Sequence, residues 1–408
     1  MSKKKKTSWF KNNKKSMWII NGSTAIVGAI GVAGYFLYNE FINKDNKKPE
    51  QPQKPPSGSQ DNPGQGTRNS DSTTNVNTLN DELKLTSWNI ANFGKSSNKL
   101  GFRVQAVAEL IAKEKVNFLS IQEVGYEDWV GVERVIEVLK EKFNKTFKLA
   151  KSPAGLYSTE RPNSKESYAI LYNPDLYEPL DTKGNNAFYG KEVKFTRPLW
   201  YSYWSVKNTN TNFWIINGHL DAPGKSTAKG VQEELSPTIK GLKWTGQGSQ
   251  EVNEFLDIHN AFESLKKYYQ SQTLEDLVIF NGDTNIKKEN TVISNNYYVN
   301  LGYKTGYINN SGSFEWQNSS MSEKSYANPY DKFIAYDPKN EFKQASEQEF
   351  KYDLLKAFQS HLERQKYLEL YKTDRNLSST QGITDGQMAF RISDHTFVHS
   401  YIKLNKTS

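Results

Sequence analysis

Between residues 83 and 404, apolar runs of strand length keep ending, or beginning, on a residue that can bind a metal or move a proton. "LKLTSWNIANFG" (83–94) alternates as a strand and breaks into polar and glycine residues after Asn89. "VNFLSIQEV" (116–124) ends at Glu123, and "ESYAILYN" (166–173) starts at Glu166. "NFWIINGHL" (212–220) runs into His219, and "EDLVIFNGDTN" (275–285) into Asp283 and Asn285. "DKFIAY" (331–336) starts at Asp331, and "ISDHTFVHSYIKL" (392–404), read as the last strand, starts at Asp394 and His395. One or two polar tips are what any strand needs to leave a core. A whole series of carboxylates, amides and imidazoles points to a site on one rim of a rigid sheet scaffold.

Helical spacing separates some of these runs. "FRVQAVAELIAKEK" (102–115) puts Val104, Val107, Ala108 and Ile111 on one face. "VERVIEVLKEKF" (132–143) and "QEVNEFLDIHNAFESLKKYY" (250–269) have the same period. Several strands follow one another with no helix between them, which predicts an α+β sandwich of mixed sheets and not a doubly wound parallel fold.

The chain carries a net charge of +8, but the excess sits at one end. Residues 1–80 hold 12 of the 53 Lys and Arg against 5 of the 45 Asp and Glu, which leaves 41 against 40 for residues 81–408. The basic balance therefore says little about what the folded part binds. Residues 1–16 carry lysines and no acid, and residues 17–38 carry no charge at all. About 20 apolar residues span a bilayer as a helix. The lysines before the span predict a cytoplasmic basic segment (1–16), an uncleaved transmembrane helix (17–38), and an extracellular remainder at the cell membrane. A cleaved leader would have a shorter apolar run and end in small residues, and "GVAGYF" is a poor site for that. Residues 39–80, rich in Pro, Gly, Ser and Asn, read as a disordered tether, and 81–408 as the catalytic domain.

There is no cysteine, which excludes disulfides, thiolate-held zinc or iron–sulfur clusters, and a thiol nucleophile. Phosphate-cradling G-x-x-x-x-G-K-[ST], zinc-binding H-E-x-x-H and nucleophilic G-x-S-x-G motifs are also missing from the sequence. Carboxylates and amides without thiols suit a hard divalent cation: Mg²⁺, with Ca²⁺ or Mn²⁺ as alternatives. Histidines beside carboxylates suit proton transfer near neutral pH. Together they suit phosphoester hydrolysis.

In these motifs the chain resembles the endonuclease/exonuclease/phosphatase superfamily, its deoxyribonuclease-I-like branch, and within that the membrane nucleases of mycoplasmas. "WNIANFG", "IQEV", "KESYAILYN", "TRPLWY", "NGHLDAP", "NGDTN", "YDKFIAY" and "SDHTFV" stand in the family's order from about residue 83 to 404. The resemblance implies a four-layer α/β/β/α sandwich of two mixed sheets with the site at one rim. It implies a metal at Glu123, with Asp394 and Asn89 near it. It implies His219 paired with Glu166, and His395 oriented by Asp331, as the two acid/base groups. Asp283 would position or deprotonate the attacking water, and Asn285 and Arg197 would hold the phosphate.

The implied activity is metal-dependent cleavage of extracellular DNA, with RNA as a further substrate, for nucleotide scavenging. No protein partner is evident. Where the pancreatic enzymes carry minor-groove arginines this chain has Ala91 and Gly125, and Ser164 stands for a tyrosine, which implies a broader nuclease. Alternatives are a phosphoesterase acting on sphingomyelin or inositol phosphates, and an inactive surface-binding protein. "GDTNIKK" and "NPYDKF" depart from the inositol phosphatases. Residues 224–250, with Trp244 and four lysines, form an insertion beside His219 that would either touch phosphates and bases or serve as a lid. Residues 340–390 form a second insertion with a charged helix over 349–370 and no assigned role. His259, His361 and His399 read as structural.

Overall fold

The computed structural model describes residues 81–94, 101–224, 235–268, 275–306 and 314–405. In chain order the strands are β1 Glu82–Phe93, β2 Phe118–Val124, β3 Lys148–Lys151, β4 Ser167–Tyr172, β5 Tyr177–Leu180, β6 Ala187–Phe188, β7 Leu199–Val206, β8 Asn212–His219, β9 Thr238–Ile239, β10 Leu242–Lys243, β11 Leu277–Asp283, β12 Lys304–Thr305, β13 Asp331–Tyr336, β14 Phe342–Lys343 and β15 Val398–Lys403. The helices are α1 Gly101–Lys113, α2 Val130–Phe143, α3 Ser249–Tyr268, α4 Thr291–Asn300, α5 Ala357–Ser360, α6 Arg364–Arg375 and α7 Asp385–Ile392.

Two mixed sheets form. The first runs β14-β15-β1-β2-β4-β3, and the second β12-β13-β11-β8-β7-β5, with β6 on β7. β1 and β2 are parallel, as are β8 and β11, while β4, β7, β13 and β15 run against them. Three apolar cores separate four layers. Trp88, Ile90, Leu119 and Ile121 pack on α1, α2, α6 and α7. Leu85, Phe118, Trp204, Phe213, Ile279 and Phe333 lie in the core between the sheets. Trp214, Ile216, Val278 and Phe280 pack on α3 and α4. Each fully buried side chain of this size stabilises the fold by roughly 1.5–3 kcal/mol.

Side-chain parity carries this core into the site. In β8 the face that buries Phe213 and Ile215 between the sheets continues through Asn217 to His219. In β11 it passes from Leu277 and Ile279 through Asn281 to Asp283, and in β1 from Leu83 and Leu85 through Ser87 to Asn89. The inner face thus turns from apolar to polar toward one edge. Gln122 Nε2 there donates to Asn217 Oδ1 of the other sheet (2.7 Å), and Asn281 Nδ2 to Ser120 Oγ (2.8 Å). Buried amides without such partners would each cost about 1–3 kcal/mol.

Strand direction puts this edge on a single rim. The carboxyl ends of β1, β2, β8 and β11 lie there, and so do the starts of their antiparallel neighbours β4, β7, β13 and β15. Gly282 in β11 stands opposite Gly218 in β8, and a Cβ on Gly282 would lie 1.9 Å from the Gly218 carbonyl oxygen. The φ of Gly282 is +147°. Only glycine permits this approach, which sets His219 beside Asp283 in register.

The final strand is shorter than its sequence suggests. Residues 385–392 are helical, opened by a Thr384–Gln387 capping box, and β15 starts only at Val398. Asp394 and His395 therefore sit on a connecting segment, joined to Ser320 by a single bridge. The helix expected over 349–370 is broken into a turn at Leu354–Lys356, α5 and α6. Among the described residues no helix is long and apolar enough to cross a membrane. The span expected over 17–38 and the tether lie outside the described residues.

Candidate active site

Asp283 is the hub of the rim. Its Oδ2 accepts from Asn89 Nδ2 (2.9 Å) and lies 3.7 Å from His219 Nε2 and 3.6 Å from His395 Nε2. Its Oδ1 accepts from the backbone N–H of Asn285 (2.8 Å). Burial opposes ionisation, but the charge of His395 and these donors outweigh it, so the carboxyl is held below its usual range.

Each histidine has its own carboxylate on the far nitrogen. His395 Nδ1 lies 2.7 Å from Asp331 Oδ2. Burial disfavours its charge, yet Asp331 and Asp283 on either side raise its pKa to about 10, so it is an imidazolium at neutral pH. His219 Nδ1 lies 2.7 Å from Glu166 Oε1. Burial and Arg197 oppose its protonation, while Glu166 and Asp283 favour it and move the balance above the ordinary value. The hydrogen-bond geometry runs the other way. Arg197 Nη2 donates to His219 Nε2 at 2.8 Å, which requires an unprotonated Nε2. That donor fixes the imidazole as neutral with its proton on Nδ1 toward Glu166, and protonation would displace Arg197. Arg197 Nε also lies 2.6 Å from Glu166 Oε1.

Glu123 lies against Asn89, and Asp394 follows Ser393, whose Oγ donates to the Asn89 carbonyl. Asn89 Nδ2 donates to Glu123 Oε1 (3.0 Å), and the Asn92 backbone N–H to Oε2 (2.9 Å). Irregular pairing in β1 and β2 turns Glu123 toward the rim, and Ala91, Asn92 and Glu123 all have positive φ. Asn285, also at positive φ, donates from Nδ2 to the Leu220 carbonyl (3.0 Å). Strain of about 1–3 kcal/mol per residue at such positions is held by the surrounding structure.

Among the described residues no group of three or more His, Asp or Glu is arranged around a metal. Mg²⁺, however, keeps most of its waters and takes one or two carboxylates plus substrate oxygens. Glu123 and Asp394 fit that demand. Asp394 Oδ1 is buried without a hydrogen-bond partner. Burial and the neighbouring Arg391 lower the Arg103 pKa to about 10, and Asp394 and Glu123 both lie near enough to oppose that shift.

Every candidate site residue from the sequence falls on this rim. Several supporting residues were not legible there. Arg103 of α1 is 6% exposed and donates to the carbonyls of Ile90, Ala91 (2.7 Å) and Ile392 (2.7 Å), tying β1 to the end of α7. Trp88 Nε1 donates to the His395 carbonyl (2.9 Å). Lys332, buried beside Asp331 and Asp283, donates to the Pro329 carbonyl, and burial lowers its pKa to about 7.

Glu254 of α3 accepts from the backbone N–H of Thr196 (2.5 Å) and of Asp221 (2.7 Å). It thereby holds the segments that carry Arg197 and follow His219. Glu251, Glu254 and Asp257 recur every three residues and are all buried, a spacing that could have marked this face as more than solvated charge.

Trp244 does not reach the site. It is fully buried in the core over the second sheet, so it cannot stack on a base. His399 is buried against Thr86 Oγ1 (3.0 Å), and His259 and His361 lie against Tyr303 and Tyr352.

No family model matches the chain. An uncharacterized protein of Mycoplasma pneumoniae is 28% identical over 144 residues, which is 35% of this chain and 26% of that one. The chain thus matches about a quarter of that relative's length. Among solved structures, the human nocturnin catalytic domain with bound sulfate anion is similar at a TM-score of 0.47 and 14% identity, over 80% of this chain and 96% of that one. An endonuclease/exonuclease/phosphatase family protein from Bacteroides thetaiotaomicron is similar at 0.45 and 14%, over 79% and 97%.

The motifs that suggested the endonuclease/exonuclease/phosphatase superfamily from sequence are the ones the structure gathers on one rim. The chemistry of the site rests on that geometry.

Proposed function

We propose that this chain is a divalent-metal-dependent phosphodiesterase that cleaves DNA, and RNA as well, outside the membrane that residues 17–38 span. The observation that carries it is the ionised Asp283 between two imidazoles, each held by its own carboxylate.

A phosphodiester needs a proton taken from water, a proton given to the leaving oxygen, and donors for the non-bridging oxygens. Environments that push two titratable groups apart mark the acid and the base. His395, an imidazolium, gives a proton from Nε2. Neutral His219 takes one at Nε2, and Asp283 Oδ2 orients the water between them. In the free protein Arg197 Nη2 occupies the His219 lone pair. A phosphate oxygen is the stronger acceptor for a guanidinium, so entry of substrate draws Arg197 off the imidazole and frees the base. Asn285 and Asn89 fix Asp283 and its neighbours. A cation held by Glu123 and Asp394 would neutralise charge on the phosphate.

The membrane placement is supported by the uncharged run and the lysines that precede it. The test is the full chain incubated with DNA, RNA, sphingomyelin and inositol phosphates, with and without chelator. Nucleic-acid cleavage that chelator abolishes is expected. Release of product from the lipid or inositol substrates alone would favour the other phosphoesterases.

A further inference from the structure

The second insertion builds a cavity that the reaction above does not use. About 350 Å³ in volume, it opens beside Asp394 and is lined by Arg103, Arg375, Arg391, Tyr371 and Phe390. That volume suits one small-molecule group. Arg103 is spent on backbone carbonyls and contributes only its field. Arg375 and Arg391 make no hydrogen bond or ion pair among the described residues, and Arg391 Nε is buried without a partner. Asp374 feels the charge of Arg391, but its bond goes to the Phe102 N–H. Glu323 is the one carboxylate on the wall besides Asp394. Phe390 leaves 41% of its surface exposed.

Two uncommitted guanidinium groups and an exposed ring, next to a carboxylate that fits a metal, match a phosphate with a base attached. We propose that this cavity is a subsite for the nucleotide next to the scissile bond, with Arg375 and Arg391 on its phosphate and Phe390 against its base. This deepens the phosphodiesterase assignment and rests on it. It gives residues 340–390 a role: they lengthen the strand contact beyond the reacting phosphate.

The test uses the full chain with Mg²⁺ in an Asp283→Asn background, and a fluorescent single-stranded DNA 12-mer. Arg375→Ala and Arg391→Ala should each weaken binding about tenfold and each reduce the slope of log affinity against log salt by roughly 0.7. Phe390→Ala should weaken binding about tenfold or more and leave the slope unchanged. With Asp283 restored, the same variants should hydrolyse bis(p-nitrophenyl) phosphate, which has no neighbouring nucleotide, at the parent rate. Arg375 is exposed, so its variant reports even where Arg391→Ala fails to fold. Unchanged affinity and slope in Arg375→Ala would overturn the subsite and leave the phosphodiesterase assignment standing. A parent chain inert toward both DNA and the aryl diester would overturn both.

Discussion

His395 Nδ1 lies 2.7 Å from Asp331 Oδ2, and this contact turns the other ring nitrogen toward Asp283. The same pairing sets its charge. Asp331→Asn should lower the His395 pKa from about 10 toward the ordinary value. Titration of the imidazole by NMR reads this directly. In the account above, kcat should fall by roughly 10²–10⁴ with little change in KM, because the acid is lost or misdirected.

The charge of His395 also enters stability. Its folded pKa is raised from the ordinary 6.5 to about 10. The contribution is therefore fully present below pH 6.5 and lost as pH rises through 10. The gap in Tm between the parent chain and His395→Gln should be widest below pH 6.5 and should close by about pH 10. A constant gap across that range would mean that the stabilisation does not come from the charge.

His219 and Glu166 act as a unit if Glu166 holds the neutral tautomer. His219→Gln and Glu166→Gln should each lower kcat by about 10²–10⁴, and the double variant should lose little more than the worse single one. Kinetics of the three variants on one oligonucleotide check this. Losses that multiply would separate the two roles.

Glu254 never touches substrate in this account, yet it holds two backbone N–H groups beside the site. Glu254→Gln replaces one accepting oxygen with a donor and leaves the Thr196 or the Asp221 N–H unpaired. A loss of about 1–3 kcal/mol in urea unfolding is expected. A rise in KM should accompany it as Arg197 loses its fixed position.

Strand cores and helix faces were legible because their apolar periods are long and regular. β13 begins and ends where the alternation of 331–336 places it. The candidate site was legible because its residues punctuate those strands. Other features left no local signature. Asp394-His395 reads as a strand start, but the last turn of α7 ends at Ile392, Ser393 leaves it extended with its Oγ donating to the Asn89 carbonyl, and the chain bends at Asp394. Arg103 sits among apolar residues of a helix, and only the fold shows that it meets three carbonyls. Trp244 looked available for bases because an insertion is expected to lie outside the core, yet the second sheet has room for it.

The central claim is that one carboxylate, set between two histidines by two sheets, runs phosphodiester hydrolysis. Hydrolysis of single-stranded DNA by the full chain with Mg²⁺, compared with Asp283→Asn of matched Tm, tests it most directly. The account predicts cleavage by the parent and a rate at least about 10²-fold lower in the variant. A variant that cleaves as fast as the parent would contradict it.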